Sequence, residues 1–220
     1  MLNATTLEFL GELAENNHRP WFEDNKKRYQ AAKKDIATLV DNLIVRLIDI
    51  EPELEGLEAK NCVFRIFRDV RFSKNKAPYK TNLGAWIARG GRKSIYAGYY
   101  LHVEPGEKSF LAGGSYMPPS DVLKAIREAI DYDPDSLRSV IQAPDFKDAF
   151  GELGGDKLKT APRDYAKDHP AIDLLRHKSF VVNHPIGDAQ LLDGGFLDHA
   201  IQVYSTLKPL NDYLNLGISN

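Results

Sequence analysis

The chain has 220 residues, with 29 Lys and Arg against 31 Asp and Glu, a formal net charge of −2, 43% hydrophobic and 27% charged residues. That balance is ordinary for a globular protein, and the length allows a substantial buried core. No apolar run is long enough to predict a membrane-spanning helix, the N-terminus lacks the basic-then-apolar pattern of a secretory signal, and the single cysteine, Cys62, has no internal disulfide partner, so a cytoplasmic setting is expected.

Thr5 and Glu8 have the spacing of a capping box, and Leu7, Leu10, Leu13 and Ala14 follow at helical spacing up to Asn16-Asn17. Pro20 suits the first turn of a second helix. Its apolar stripe, from Phe22 and Tyr29 through Ala32, Ile36, Leu39, Val40, Leu43 and Ile44 to Leu47 and Ile48, predicts one long helix ending before Pro52. Cys62, next to Val63 and Phe64, reads as a small buried hydrophobe. Residues 63–72 have the β-branched and aromatic content of a strand, but neither face of the alternation is clean, so the strand is expected to stop near Phe67 or Arg68 and give way to a shaped loop at 73–78.

Residues 83–88 and 94–104 predict a hairpin around Arg89-Gly90-Gly91-Arg92, with Tyr99, Leu101 and Val103 on one face and Tyr100, His102 and Glu104 on the other. A third strand is expected at 109–112, followed by Gly113-Gly114 at a backbone position needing positive φ or close approach. Helices are expected from Ser120, with Val122, Ile126, Ala129 and Ile130 inward, and from the Asp133-Pro134 cap, with Leu137, Val140 and Ile141 inward. Residues 144–170, with three prolines, read as irregular. A short helix at 171–176, a strand at 180–182 and a final helix from about Gly195 to Leu207, broken or kinked at Pro209, complete the chain. There is no internal repeat and no linker separating two parts, so residues 1–220 are expected to form a single α+β domain. Its central, mainly antiparallel sheet would be covered by the N-terminal and C-terminal helices.

The stretch 65–80, R-I-F-R-D-V-R-F-S-K-N-K-A-P-Y-K, carries the chemistry. It holds Arg65, Arg68, Arg71, Lys74, Lys76 and Lys80 with one acid, Asp69, and interleaves them with aromatic and aliphatic residues. Residues 60–93 hold ten cations and that one acid, a local +9, which leaves −11 for the rest of the chain. Such asymmetry calls for an anionic ligand, or for acids brought in from elsewhere in the fold.

The signature R-x-x-R-D-x-R-F followed by K-x-x-Y, here Arg65, Arg68, Asp69, Arg71, Phe72, Lys76 and Tyr79, resembles that of a bacterial family known as domain of unknown function 2461. N-N-H-R-P-W-F at 16–22, E-P-G at 104–106, F-L-A-G-G at 110–114 and A-P-R-D-Y-A-K-D-H-P at 161–170 extend the resemblance over most of the chain. The resemblance implies a family and carries no activity with it.

From the residues themselves, a guanidinium offers a rigid fork of donors to phosphate or carboxylate, and a lysine supplies a compact charge. The expected ligand-binding set is Arg65, Arg68, Arg71, Lys76, Tyr79 and Lys80. Asp69 and His102 are the candidate catalytic groups, with Glu104 placed to orient the imidazole. The same set of residues is compatible with an enzyme and with a binding protein. No metal-ligand spacing, P-loop, dinucleotide fingerprint or nucleophile elbow is present, so neither a metal nor a cofactor is expected. Three readings of the motif remain. The first is a pocket for a small anionic, phosphate-bearing ligand. The second is a nucleic-acid face, with Tyr79, Trp86 and Tyr96 available to stack. The third is an internal salt-bridge network, with acids such as Glu104 completing it.

Overall fold

The computed structural model describes residues 1–218. In chain order it comprises α1 (Ala4–Glu15), α2 (Arg19–Asp24), α3 (Lys26–Leu47), α4 (Ala59–Cys62), β1 (Leu83–Ile87), β2 (Gly98–Val103), β3 (Ser109–Ser115), α5 (Ser120–Tyr132), α6 (Pro134–Gln142), α7 (Pro144–Phe150), α8 (Ile172–Leu175), β4 (Phe180–Ile186), α9 (Asp188–Leu192) and α10 (Phe196–Leu216). The strands form one antiparallel sheet in the order β1-β2-β3-β4, so the α+β class with helices at both ends of the chain holds. By proximity the residues fall into two compact units: Met1–Arg92 with Tyr100–Leu111 and Pro185–Ile201, and Lys93–Tyr99 with Ala112–His184 and Gln202 onward.

In the first unit the start of α1 departs from the expected capping box. Asn3 is the cap, accepting from the Thr5 backbone N–H, and Ala14 is exposed. The Asp35 carboxylate of α3 accepts from the Asn3 N–H and the Thr6 hydroxyl, while Glu12 accepts both terminal nitrogens of Arg28, which ties α1 to α3. The long helix expected from Pro20 is divided. α2 ends at Asp24, and Asn25 turns its side-chain amide back to donate to the Trp21 carbonyl, a local bond that competes with helix continuation. The inward stripe of α3 is otherwise as its period dictates, with Ile36, Val40 and Leu43 fully buried.

No strand forms at 63–72. Residues 63–67 instead touch 79–85 at two isolated antiparallel bridges, Val63 to Ala85 and Phe67 to Tyr79. The two intervals have unequal lengths, so the 79–85 side carries two extra residues, and the ladder, continued by Phe64 N–H to the Gly84 carbonyl and Lys80 N–H to the Ile66 carbonyl, is interrupted between those bonds. Lys80 and Thr81 lie in that bulged interval.

In the second unit the hairpin's second arm starts later than predicted, at Gly98. Asn215 of α10 accepts from the Ala97 N–H and donates to the Ala97 carbonyl, taking the place of a strand partner. The supposedly irregular stretch from Pro144 contains α7, which buries Phe146. Beyond α7, Gly154 and Lys157 bridge to Val181 and His177. α10 runs through Pro209 without a break. Pro209 lies on the exposed side, and Leu207, Leu210 and Leu214 are fully buried on the other, so packing holds the helix past the missing backbone donor. Tyr204 meets Tyr99 of β2 with ring centroids 5.0 Å apart.

Candidate functional site

All of the predicted site residues lie in the first unit. Their arrangement begins with a loop, residues 69–77, held between two nearly strand-like segments. Arg68 closes it at the base. Its backbone N–H donates to the Pro78 carbonyl, and its guanidinium donates to the Ala77 carbonyl (3.1 Å) and the Ser73 hydroxyl (3.4 Å). Lys76 donates across the same loop to the Val70 carbonyl, and the Asn75 side chain accepts from the Ala77 N–H. Asp69 and Arg71 form an exposed fork-to-fork pair with contacts of 2.6 and 3.0 Å. The Arg71 hydrogen bonds hold the Asp69 carboxyl below the usual range, and Arg65 adds to the same effect from nearby.

Tyr79 sits in the core. It is 4% exposed and its ring stacks on Phe22 at 3.9 Å, with Phe67 tilted against it. The Asn17 amide brackets its backbone, accepting from the N–H and donating to the carbonyl. One residue on, Lys80 leaves the core with its ammonium 5.4 Å from the centre of the Phe64 ring. Burial, then the charge of Arg65, lowers the Lys80 pKa.

The outer face of β2 adjoins this group. Tyr100 packs edge-on against Phe64. Its hydroxyl lies 3.0 Å from Nδ1 of His102, whose Nε2 lies 3.1 Å from Glu104, and the second oxygen of Glu104 accepts from the Thr81 hydroxyl at 3.0 Å. A carboxylate can only accept, so this order places the imidazole hydrogen on Nε2 and leaves Nδ1 to receive the phenol proton. Phe110 stacks on the imidazole at 4.4 Å and fixes its plane. Gly84 makes room at the far end, since a Cβ there would stand 2.6 Å from the Tyr100 hydroxyl oxygen. The result is a hydrogen-bonded row, Tyr100 to His102 to Glu104, with Glu104 also accepting from Thr81, that is half-buried beside Lys80.

Burial and then the Glu104 charge push the Tyr100 phenol up to about 12 from an ordinary 10.0. A raised folded-state value means that the stability it contributes is intact below pH 10 and lost as pH rises through 12, because the unfolded chain gives up this proton first. Tyr213 in the second unit behaves in the same way. Unfolding midpoints recorded across that alkaline window should therefore fall less steeply for Tyr100→Phe than for the wild type. The variant should also lose about 1 kcal/mol at neutral pH with the His102 hydrogen bond.

Sequence spacing thus brought His102 and Glu104 together with Tyr100, and Asp69 together with Arg71. No hydrogen bond joins Asp69 to His102. Glu104 serves His102 and Thr81 and leaves the arginines alone. Among the described residues, Arg71 is the one cation of the 65–80 stretch with a carboxylate at ion-pair distance, and no group of three His, Cys, Asp or Glu side chains is placed to hold a metal. Thr81, Gly84, Asn17 and Phe110 complete the site and were not singled out for it from the sequence. Tyr100 had a signal, the strand alternation it shares with His102. Thr81 had none, because its position depends on the two-residue bulge.

The fold defines an α+β protein with a four-stranded antiparallel sheet and, among the described residues, no helix long and apolar enough to cross a membrane. Residues 5–213 match the family described as "conserved hypothetical protein (DUF2461)", and the chain belongs to that family. No curated protein and no solved structure shows a match to it.

Proposed function

We propose that the chain binds a small anionic, phosphate-bearing ligand through Arg65 and Lys80, with the Tyr100-His102-Glu104 row beside them as an acid–base element. The observation that carries this reading is uncompensated charge. Arg65 and Lys80 lie close enough to oppose one another, Lys80 is half-buried over Phe64, and neither has a carboxylate at ion-pair distance among the described residues, the Asp69 carboxylate near Arg65 being engaged by Arg71. A half-buried ammonium with an exposed guanidinium beside it is unfavourable until an anion joins them. Arg65 offers the fork and Lys80 the point charge that a phosphate group accepts. Arg68 and Lys76 support the site indirectly in this reading, since both donate to carbonyls that shape the 69–77 loop. Arg71 is engaged by Asp69, and Tyr79 anchors the segment from the core.

The informative variant is Lys80→Met, which keeps an apolar stem over Phe64 and removes the charge. Arg68→Ala would loosen the loop whether or not a ligand exists. Thermal unfolding is to be measured with inorganic phosphate, sugar phosphates, nucleotides and simple carboxylates. A ligand at about 100 times its dissociation constant stabilises by roughly 2.7 kcal/mol. The wild type should show that rise with at least one phosphate compound. Lys80→Met should show none, while melting at or slightly above the unliganded wild type because an unpaired charge is gone. If no anion moves the wild-type midpoint, or if Lys80→Met responds equally, the reading is wrong.

A further inference from the structure

The tip of the 69–77 loop is a separate feature, and the small-anion reading leaves it unused. Phe72 stands 96% exposed at this tip, the most exposed of the large apolar side chains. Folded proteins leave single apolar residues at the surface routinely, so exposure alone means little. The surroundings are what single Phe72 out. The Arg71 guanidinium lies 5.9 Å from the centre of its ring, and Lys74 and Lys76 follow on the same loop, both exposed and neither with a carboxylate partner among the described residues. The loop is also pinned. Arg68 closes its base, Lys76 reaches Val70 and Asn75 holds Ala77, so the ring is presented on a shaped turn.

We propose that this loop tip docks single-stranded nucleic acid, with a base stacked on Phe72 and adjacent phosphates on Lys74 and Lys76. A free aromatic face next to exposed cations without carboxylate partners, spaced along a loop, is what an unpaired base and its backbone require. Base–aromatic stacking contributes about 1–3 kcal/mol per base, and an arginine beside the ring adds a cation–π partner for the stack. A lipid surface fits less well. Val70 is half-buried, Phe67, although 47% exposed, lies before the loop with its ring against Phe22 and Tyr79, and Ser73 and Asn75 flank the remaining ring, so the tip offers one apolar group for insertion. The chain-wide charge of −2 confines attraction to this patch and predicts modest affinity with strong salt dependence.

The test is fluorescence anisotropy of labelled oligothymidylate and oligouridylate with the full chain, titrated against salt, alongside sedimentation with phosphatidylserine vesicles. Phe72→Ala and Lys74→Ala are run with the wild type, and all three should melt alike because both altered side chains are exposed and neither holds the loop, whereas Lys76 does. The wild type should bind at low salt. Phe72→Ala should weaken binding by about tenfold with the salt slope unchanged, the effect of one lost stack. Lys74→Ala should reduce the slope by roughly 0.7, the value for one phosphate of a single strand. Absence of binding at about 50 mM salt overturns the proposal. Oligonucleotide binding that ignores Phe72 does so too, as does Phe72-dependent vesicle binding in place of oligonucleotide binding. Lys80→Met, which decides the small-anion reading, leaves this loop intact, so either proposal can fail without the other.

Discussion

Tyr79→Ala should lower the free energy of unfolding by about 3–5 kcal/mol, the range for truncating a large buried aromatic side chain. Tyr79 ends the basic motif, and a ligand contact was expected of it from sequence. Its surroundings assign the ring to the core. One face lies on Phe22 at 3.9 Å with an interplanar angle of 12°, and Phe22 itself packs against Phe9, Tyr29 and Phe67. Removing the ring leaves a cavity in the middle of that cluster and forfeits an aromatic pair interaction of about 0.5–1.5 kcal/mol. The effect should spread to the motif, because Lys80 leaves the core directly after this anchor. For a chain of this size the midpoint should drop by roughly 10 °C. Tyr79→Phe provides the control. It keeps the stack and deletes a hydroxyl whose pKa is raised chiefly by burial. It should unfold within about 1 kcal/mol of the wild type and retain the full ligand-induced shift. A Tyr79→Phe protein that folds normally but no longer responds to the phosphate compound would return Tyr79 to the ligand-binding set.

The parts of the fold that could be read from sequence were those governed by a single local period. α3 shows its buried stripe at 3.6-residue spacing, and β2 shows its buried face at spacing two, so Tyr99, Leu101 and Val103 went inward and Tyr100, His102 and Glu104 went out together. The parts that were missed depend on contacts from afar. Asn215 decides where β2 begins, and no feature of residues 94–97 announces it. The strand content of 63–72 is real as composition, yet the bulge between Tyr79 and Ala85 breaks the ladder that would have used it. α7 did have local signals, Pro144 in its first turn and Gly151 just after its end, which three scattered prolines obscured. The candidate site divides in the same way. Its charges were visible as charges, but their partners were not. The Arg68 guanidinium satisfies itself on the Ala77 carbonyl and Ser73 hydroxyl of its own loop, a use of arginine that composition cannot distinguish from anion binding.

Gly114→Ala should be nearly as damaging as the loss of Tyr79, by about 4 kcal/mol, for a reason that has nothing to do with burial of a side chain. In the second unit Gly114 is the penultimate residue of β3, beside β4, with φ +106°, a conformation that an L-residue with a Cβ adopts only under strain of about 1–3 kcal/mol. A Cβ placed there would also run into the Phe180 carbonyl oxygen and the backbone beyond it, well inside van der Waals contact. Neither obstacle is the tip of a flexible side chain, so relief requires the two strand backbones to part, at a further ~1–3 kcal/mol typical of overpacking. Because Phe180 is fully buried, that movement would also disturb the packing of its ring against His177. The two contributions separate experimentally. Ordinary overpacking disappears when a neighbour is trimmed, and Gly114→Ala should not be rescued by Phe180→Leu, since the clash is with the backbone of that residue. A variant that melts within about 1 kcal/mol of the wild type would show that β3 and β4 can separate without loss, and that the second glycine of the F-L-A-G-G stretch is not required by the close approach of the two strands.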